Sequence, residues 1–154
     1  MSRSYPRVTA DPAARVFQID IEIPAPPPRV WKVMTDVERW PEWTASVRSV
    51  RRLDNGKFRV GSRARIKQPR FLPAVWEVTD LKEGRSFTWV MHSPGLRAEG
   101  HHRVETTASG SRATLSVTYR GKLGGLVARL LGKTTERFLT LEANGLKKRS
   151  AEGS

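Results

Sequence analysis

The sequence predicts an α+β domain: a curved antiparallel sheet of about seven strands wrapped around one long C-terminal helix, with two short helices after the first strand. Three observations carry that expectation. About seven strand-like runs are present, most of them alternating apolar and polar residues, the period of a half-buried strand. The last six are joined by turn signals too short for anything but antiparallel neighbours. A single stripe of helical period fills the C-terminal end, and only that segment is long enough to cover the apolar face of the sheet. At 154 residues the chain suits one domain with a sizeable core. Residues 16–148 are assigned to it, with 1–15 expected as a flexible tail and 149–154 as a frayed one.

The first strand is Val16 to Ile23, with Phe17, Ile19, Ile21 and Ile23 on one face and Gln18, Asp20 and Glu22 on the other. Pro24-Ala25-Pro26-Pro27-Pro28 ends it, because proline lacks the ladder's N–H but suits a first helical turn. A short helix is expected from Pro27 to Met34. Thr35 and Glu38 have the spacing of a capping box for a second short helix, which Pro41 should limit or break at Trp40.

The remaining strands are expected over Ser46–Leu53, Phe58–Gln68, Ala74–Leu81, Ser86–His92, Leu96–Thr106 and Arg112–Tyr119. Asn55-Gly56 signals a tight hairpin, and Glu83-Gly84, Ser93-Pro94-Gly95 and Ser109-Gly110 mark further turns. The helix spans Leu123 to Lys148, weakened in its first half by Gly124, Gly125 and Gly132.

Composition narrows the function classes. There is no cysteine, which excludes disulfides, thiolate ligands and cysteine nucleophiles, and fits a cytoplasmic location. No run approaches the roughly 18 apolar residues of a membrane span. The net charge of +13 favours acidic partners. Between Arg48 and Arg70 nine basic residues meet one acid, Asp54. Arg63, Arg65 and Lys67 alternate with Ala64, Ile66 and Gln68, so this set reads as the wet side of a strand. It offers at most a weak contact with an anionic membrane surface. It lacks the interleaved exposed aromatics that single-strand binding favours, so nucleic acid is not an expected partner.

Asp36-Val37-Glu38-Arg39-Trp40-Pro41-Glu42-Trp43 after the first strand, then Val75-Trp76-Glu77-Val78-Thr79, Gly84-Arg85-Ser86-Phe87-Thr88-Trp89 and the helix of Leu123 to Leu146, together resemble the polyketide cyclase/dehydrase and lipid transport family of the START-like (SRPBCC) superfamily. The resemblance covers about Phe17 to Lys148. It implies a helix-grip fold with a cavity between sheet and helix. The activities it implies range from carrier to cyclase, so it speaks to fold more than to function.

Such a cavity would be lined by the inward aromatic stripe. Trp40 and Trp43 either wall it or plug the gap between the short helices and the sheet. Trp76, Phe87, Trp89 and Met91 lie on inward faces, and Met91 is the most adaptable of them. Phe71 and Leu72, between Pro69 and Pro73, either guard an entrance or pin a loop. Leu130 and Phe138 add the helix's share of the wall. His102 is the one histidine on an inward face, able to bond a ligand carbonyl, act as a base, or sit as a satisfied core residue. Tyr119 is a candidate proton donor. Adjacent His101 and His102 point to opposite faces, and no inward carboxylate is evident beside them, so neither a metal nor a cofactor is expected.

The expected function is therefore binding or carriage of an apolar or amphipathic small molecule without catalysis. The alternatives are a cyclase or dehydratase acting on a polyketide-like substrate through His102, and a basic module docking on anionic membrane or RNA.

Overall fold

A computed structural model describes residues 4–8 and 15–152. Eight antiparallel strands form one sheet: β1 (Ser4–Val8), β2 (Arg15–Ile23), β3 (Ser49–Arg52), β4 (Arg63–Lys67), β5 (Ala74–Lys82), β6 (Ser86–Ser93), β7 (Leu96–Thr107) and β8 (Gly110–Arg120). Their order is β1-β2-β8-β7-β6-β5-β4-β3. Helix α1 (Pro27–Thr35) and a 3-10 helix (Val37–Glu42) carry the chain from β2 to the far edge at β3. Helix α2 (Gly124–Glu152) packs on β2, β8 and α1, closing the curved face. No helix among the described residues is long and apolar enough to cross a membrane.

Seven strands are those expected, and the eighth corrects the N-terminal tail. Ser4–Val8 pairs with β2, Pro6 opposite Phe17. Proline is tolerated there because β1 is an edge strand, where one missing N–H breaks no second ladder. The C-terminal tail is corrected too: α2 runs to Glu152, and Ser150 is buried. The last carbonyls of a helix have no internal partner. Here the Arg29 guanidinium of α1 donates to the carbonyls of Arg149 (3.1 Å) and Ser150 (3.4 Å).

α1 begins as predicted, with Pro26 extended at the cap and prolines at its first two positions. The expected capping box does not form. Thr35 donates back to the Trp31 carbonyl at 2.8 Å, and the Glu38 carboxylate accepts from the Arg52 amide at 2.9 Å, tying the 3-10 helix to β3. Pro41 sits inside the 3-10 helix rather than ending it at Trp40. Its fixed φ suits that geometry, and so short a helix loses only one bond. The Asn55-Gly56 hairpin is also looser than expected. β3 and β4 are joined by the loop 53–62, whose Asp54 carboxylate gathers the Arg63 amide, the Ser62 hydroxyl and the Arg52 guanidinium at 2.9–3.0 Å.

Candidate functional site

Sheet register explains why a cavity exists. On the inner face, three rows run across β6, β7 and β8: Phe87–His102–Leu115, Trp89–Gly100–Val117 and Met91–Ala98–Tyr119. In the second and third rows the middle residue has little or no side chain. The large neighbours lean over that gap, and the strip of β7 beneath becomes the cavity floor. A Cβ on Gly100 would lie 3.0 Å from the Trp89 indole, so the indole uses the space glycine leaves.

The cavity has two chambers. The inner, about 60 Å3, is walled by Trp40, Ile66, Trp89, His102, Leu115 and Ser116. The outer, about 140 Å3, is walled by Phe71, Met91, Leu96, Tyr119, Leu131 and Phe138. Gln68, Trp76, Val117, Leu139 and Glu142 line both. Most inner-wall residues are buried, whereas Phe71, Met91, Leu96, Val127 and Leu131 of the outer wall are half-exposed. The opening is therefore at the outer end, between the 68–73 loop, the β6–β7 turn and α2.

His102 sits in an aromatic cage. Phe87, its cross-strand neighbour, stacks on it at 4.4 Å with the planes 4° apart, and Trp40 lies 5.4 Å and Trp89 6.1 Å away. Its Nε2 is 3.9 Å from the Glu142 carboxylate of α2, with only 8% and 13% of the two side chains exposed. Its Nδ1 is buried with no hydrogen-bond partner among the described residues. Buried polar atoms normally have partners, so this nitrogen is an exception, while Nε2 and the Glu142 carboxylate are the polar atoms brought together beside the cavity.

Glu142 is the cavity-lining residue that sequence reasoning missed. It lies four residues after Phe138, three after Leu139 and four before Leu146, all buried. Those offsets put it on the inward stripe of the helix. Counting only apolar residues along the stripe hid a carboxylate that its position reveals.

The other candidates divide. Trp40, Trp76, Trp89, Met91, Phe71 and Phe138 line the cavity, with Phe71 packed on Phe138 at 5.8 Å. Trp40 also donates its indole N–H to the Met34 carbonyl at 3.1 Å. Phe87 is fully buried behind His102 and lines neither chamber. Trp43 does not reach the cavity. As the residue ending the 3-10 helix it leaves the face Trp40 occupies and presses on α2, where a Cβ on Gly145 would meet the Trp43 carbonyl oxygen at 2.0 Å. Leu72 is 88% exposed, because its neighbour Phe71 takes the inward position. Leu130 is 68% exposed, since each helical residue turns about 100° from the last and Leu131 faces in.

Tyr119 lies on the outer wall, where burial raises its hydroxyl above the usual tyrosine range. Thr135 gives its proton to the Leu131 carbonyl (2.8 Å), so in the 2.8 Å contact between Tyr119 and Thr135 the tyrosine donates. Its proton is thus committed to the wall. His101 points outward, bonded to Thr88 at 2.7 Å. Glu99 pairs with Arg97 (3.0 Å) and Arg120 (3.2 Å) on the same outer side.

Fold and site together define a helix-grip protein with a two-chambered internal cavity. The chain belongs to the polyketide cyclase/dehydrase and lipid transport family, whose sequence profile matches residues 14–151. Among solved structures it resembles TTHA0849 from Thermus thermophilus, at 22% identity and a TM-score of 0.72 over 90% of this chain and 99% of that one. The Zhui aromatase/cyclase from Streptomyces sp. R1128 is similar at 19% identity and TM-score 0.68, over 90% and 94%. Norcoclaurine synthase from Thalictrum flavum, solved with dopamine and hydroxybenzaldehyde, is similar at 15% identity and TM-score 0.71, over 92% and 88%. At these identities the likeness is one of fold. No curated protein sequence matches the chain.

Proposed function

We propose that the protein binds a small amphipathic molecule, with a ring-sized apolar body in the outer chamber and a hydrogen-bonding group directed at His102 and Glu142. The observation that carries this is the placement of that pair in a cavity whose outer chamber is mostly apolar, with His102 on the inner chamber and Glu142 on both. Ligand pockets of this kind are mostly apolar with a few polar groups that fix orientation. The outer chamber, about 140 Å3, is close to the roughly 150 Å3 apolar cavity that holds one benzene ring. Met91 can change rotamer to admit a somewhat larger body. The fold likeness to an aromatase/cyclase and to a synthase solved with two aromatic molecules supports a ring-bearing ligand. Native mass spectrometry of freshly purified protein should show a bound small molecule, lost on denaturation. Protein that is always empty, and whose tryptophan fluorescence no phenol perturbs, would reject the proposal. A cytoplasmic location belongs to the same proposal and is checked by fractionating cells.

The same pair favours a second reading, proton transfer to or from the bound molecule, as in cyclisation or dehydration of a polyketide-like substrate. An imidazole and a carboxylate on one chamber wall can together take up and return a proton. Under this reading His102→Ala abolishes turnover while binding persists. Turnover unchanged in that variant would leave the binding reading alone.

A further inference from the structure

The first half of α2 carries two apolar stripes, and the cavity uses one. Val127, Leu131 and Thr135 face the outer chamber. Leu126 and Leu130, four apart on the helix, are 50% and 68% exposed beside them, and Leu123, in the turn just before α2, is 44% exposed. Leu72, on the other lip of the mouth, is the most exposed large apolar residue among those described. Its neighbour Phe71 rests on Phe138 of α2, so the two lips meet at one opening. Basic residues adjoin both: Arg70 beside Leu72, Lys122 in the turn before α2, and Arg129 and Lys133 on the arc of α2 next to the exposed leucines. All four are exposed, and no aspartate or glutamate occurs in 67–73 or 121–135.

We propose that this rim docks on an anionic lipid bilayer, seating Leu72, Leu123, Leu126 and Leu130 among the acyl chains with the four basic residues at the headgroups. Leucines flanked by lysine and arginine on one exposed helical arc form the pattern of a helix lying in a membrane interface. Anionic headgroups supply the negative charge these segments lack. A second copy of the chain fits less well, because a twofold contact would set the two basic arcs against each other with no acid in either segment to answer them. Docking brings the cavity mouth to the bilayer, giving an apolar ligand a path that avoids water. The docking step stands independently of which ligand the cavity holds.

The test is co-sedimentation of the full chain with vesicles of phosphatidylcholine alone, and of phosphatidylcholine with phosphatidylglycerol at about three to one. Wild-type protein should bind the anionic vesicles only, and less as salt rises. Leu126→Ser with Leu130→Ser should lower partition about tenfold or more, with circular dichroism and melting temperature kept. Arg129→Glu with Lys133→Glu should do likewise. The same charge change on the outer sheet face, Arg51→Glu with Arg65→Glu, should leave partition within about twofold. Equal loss in the two charge variants would overturn the proposal in favour of a diffuse field. Unchanged binding in the leucine variant would overturn it as well. So would a dimer that the leucine changes dissociate while vesicles go unbound, since the occupant would then be a second copy.

Discussion

The two chambers share strands and helix but follow different packing rules. Around the inner chamber the packing is close: Phe87, His102 and Leu115 lie abreast with Phe87 buried behind His102, Trp40 and Trp89 close over them, and the Trp89 indole takes the space that Gly100 leaves. It is a core with a polar defect. In the outer chamber β7 offers only Ala98, so large neighbours surround space rather than each other. It is a cavity with an apolar wall. The difference shows how one sheet face can hold a fold together and still keep room for a ligand: stability concentrates where the central strand carries bulk, and capacity where it does not. His102 stands on the inner chamber and Glu142 on both, so in the proposed binding mode the polar end of the ligand points inward.

The largest effects should separate core from wall. Phe87→Ala removes a fully buried ring packed on His102 and Trp89 and should cost about 3–5 kcal/mol by urea denaturation. Phe138→Ala removes a ring that already faces space and should cost nearer about 2 kcal/mol, while admitting bulkier ligands. Equal losses would erase the distinction between the chambers.

A smaller change should convert one kind of region into the other. Gly100→Ala places a methyl at 3.0 Å from the Trp89 indole and pushes it into the inner chamber. Overpacking of this kind should cost about 1–2 kcal/mol and move tryptophan fluorescence. It should weaken ligand binding by more than the stability loss explains. Binding left intact would show that Trp89 can retreat elsewhere.

The smallest expected effect lies outside the cavity, where Glu42 of the 3-10 helix meets Arg149 of α2. The hydrogen bond from Arg149 holds the Glu42 carboxyl below its usual range. A carboxyl with a depressed folded pKa stabilises the fold above its unfolded pKa, near 4.3, and loses that contribution as pH falls through the folded value. Glu42 is exposed and Arg149 half-exposed, so the contribution is modest. Stability measured from pH 6 down to about pH 3 should fall less steeply in Arg149→Gln than in wild type. Parallel curves would show that the pair contributes nothing.

Much of the framework was legible because it rests on period-two patterning. His102 was placed on the inward face from the alternation of its strand alone, and the structure puts it there. The site was legible only in part. Trp43 and Leu72 carry the right chemistry in the wrong direction, because their orientation depends on local backbone angles that composition does not encode. Leu130 failed by one residue of helical phase, and Glu142 escaped because a carboxylate on a buried stripe runs against the hydrophobic pattern that reveals the stripe. Edge strand β1 escaped for a related reason: Ser4–Val8 gains its order by pairing with β2, not from any periodicity of its own.

Calorimetric titration of wild type and Glu142→Gln with a matched pair, 4-ethylphenol and ethylbenzene, decides whether the His102–Glu142 end reads a polar group on an otherwise apolar ligand. A hydrogen bond to a charged group contributes about 1.5–3 kcal/mol, so the phenol should bind wild type more than about tenfold tighter than its deoxy partner. The gap should shrink to a few-fold in Glu142→Gln, with ethylbenzene affinity unchanged. Equal affinities of the two compounds for wild type, or a gap that survives the substitution, would contradict the account.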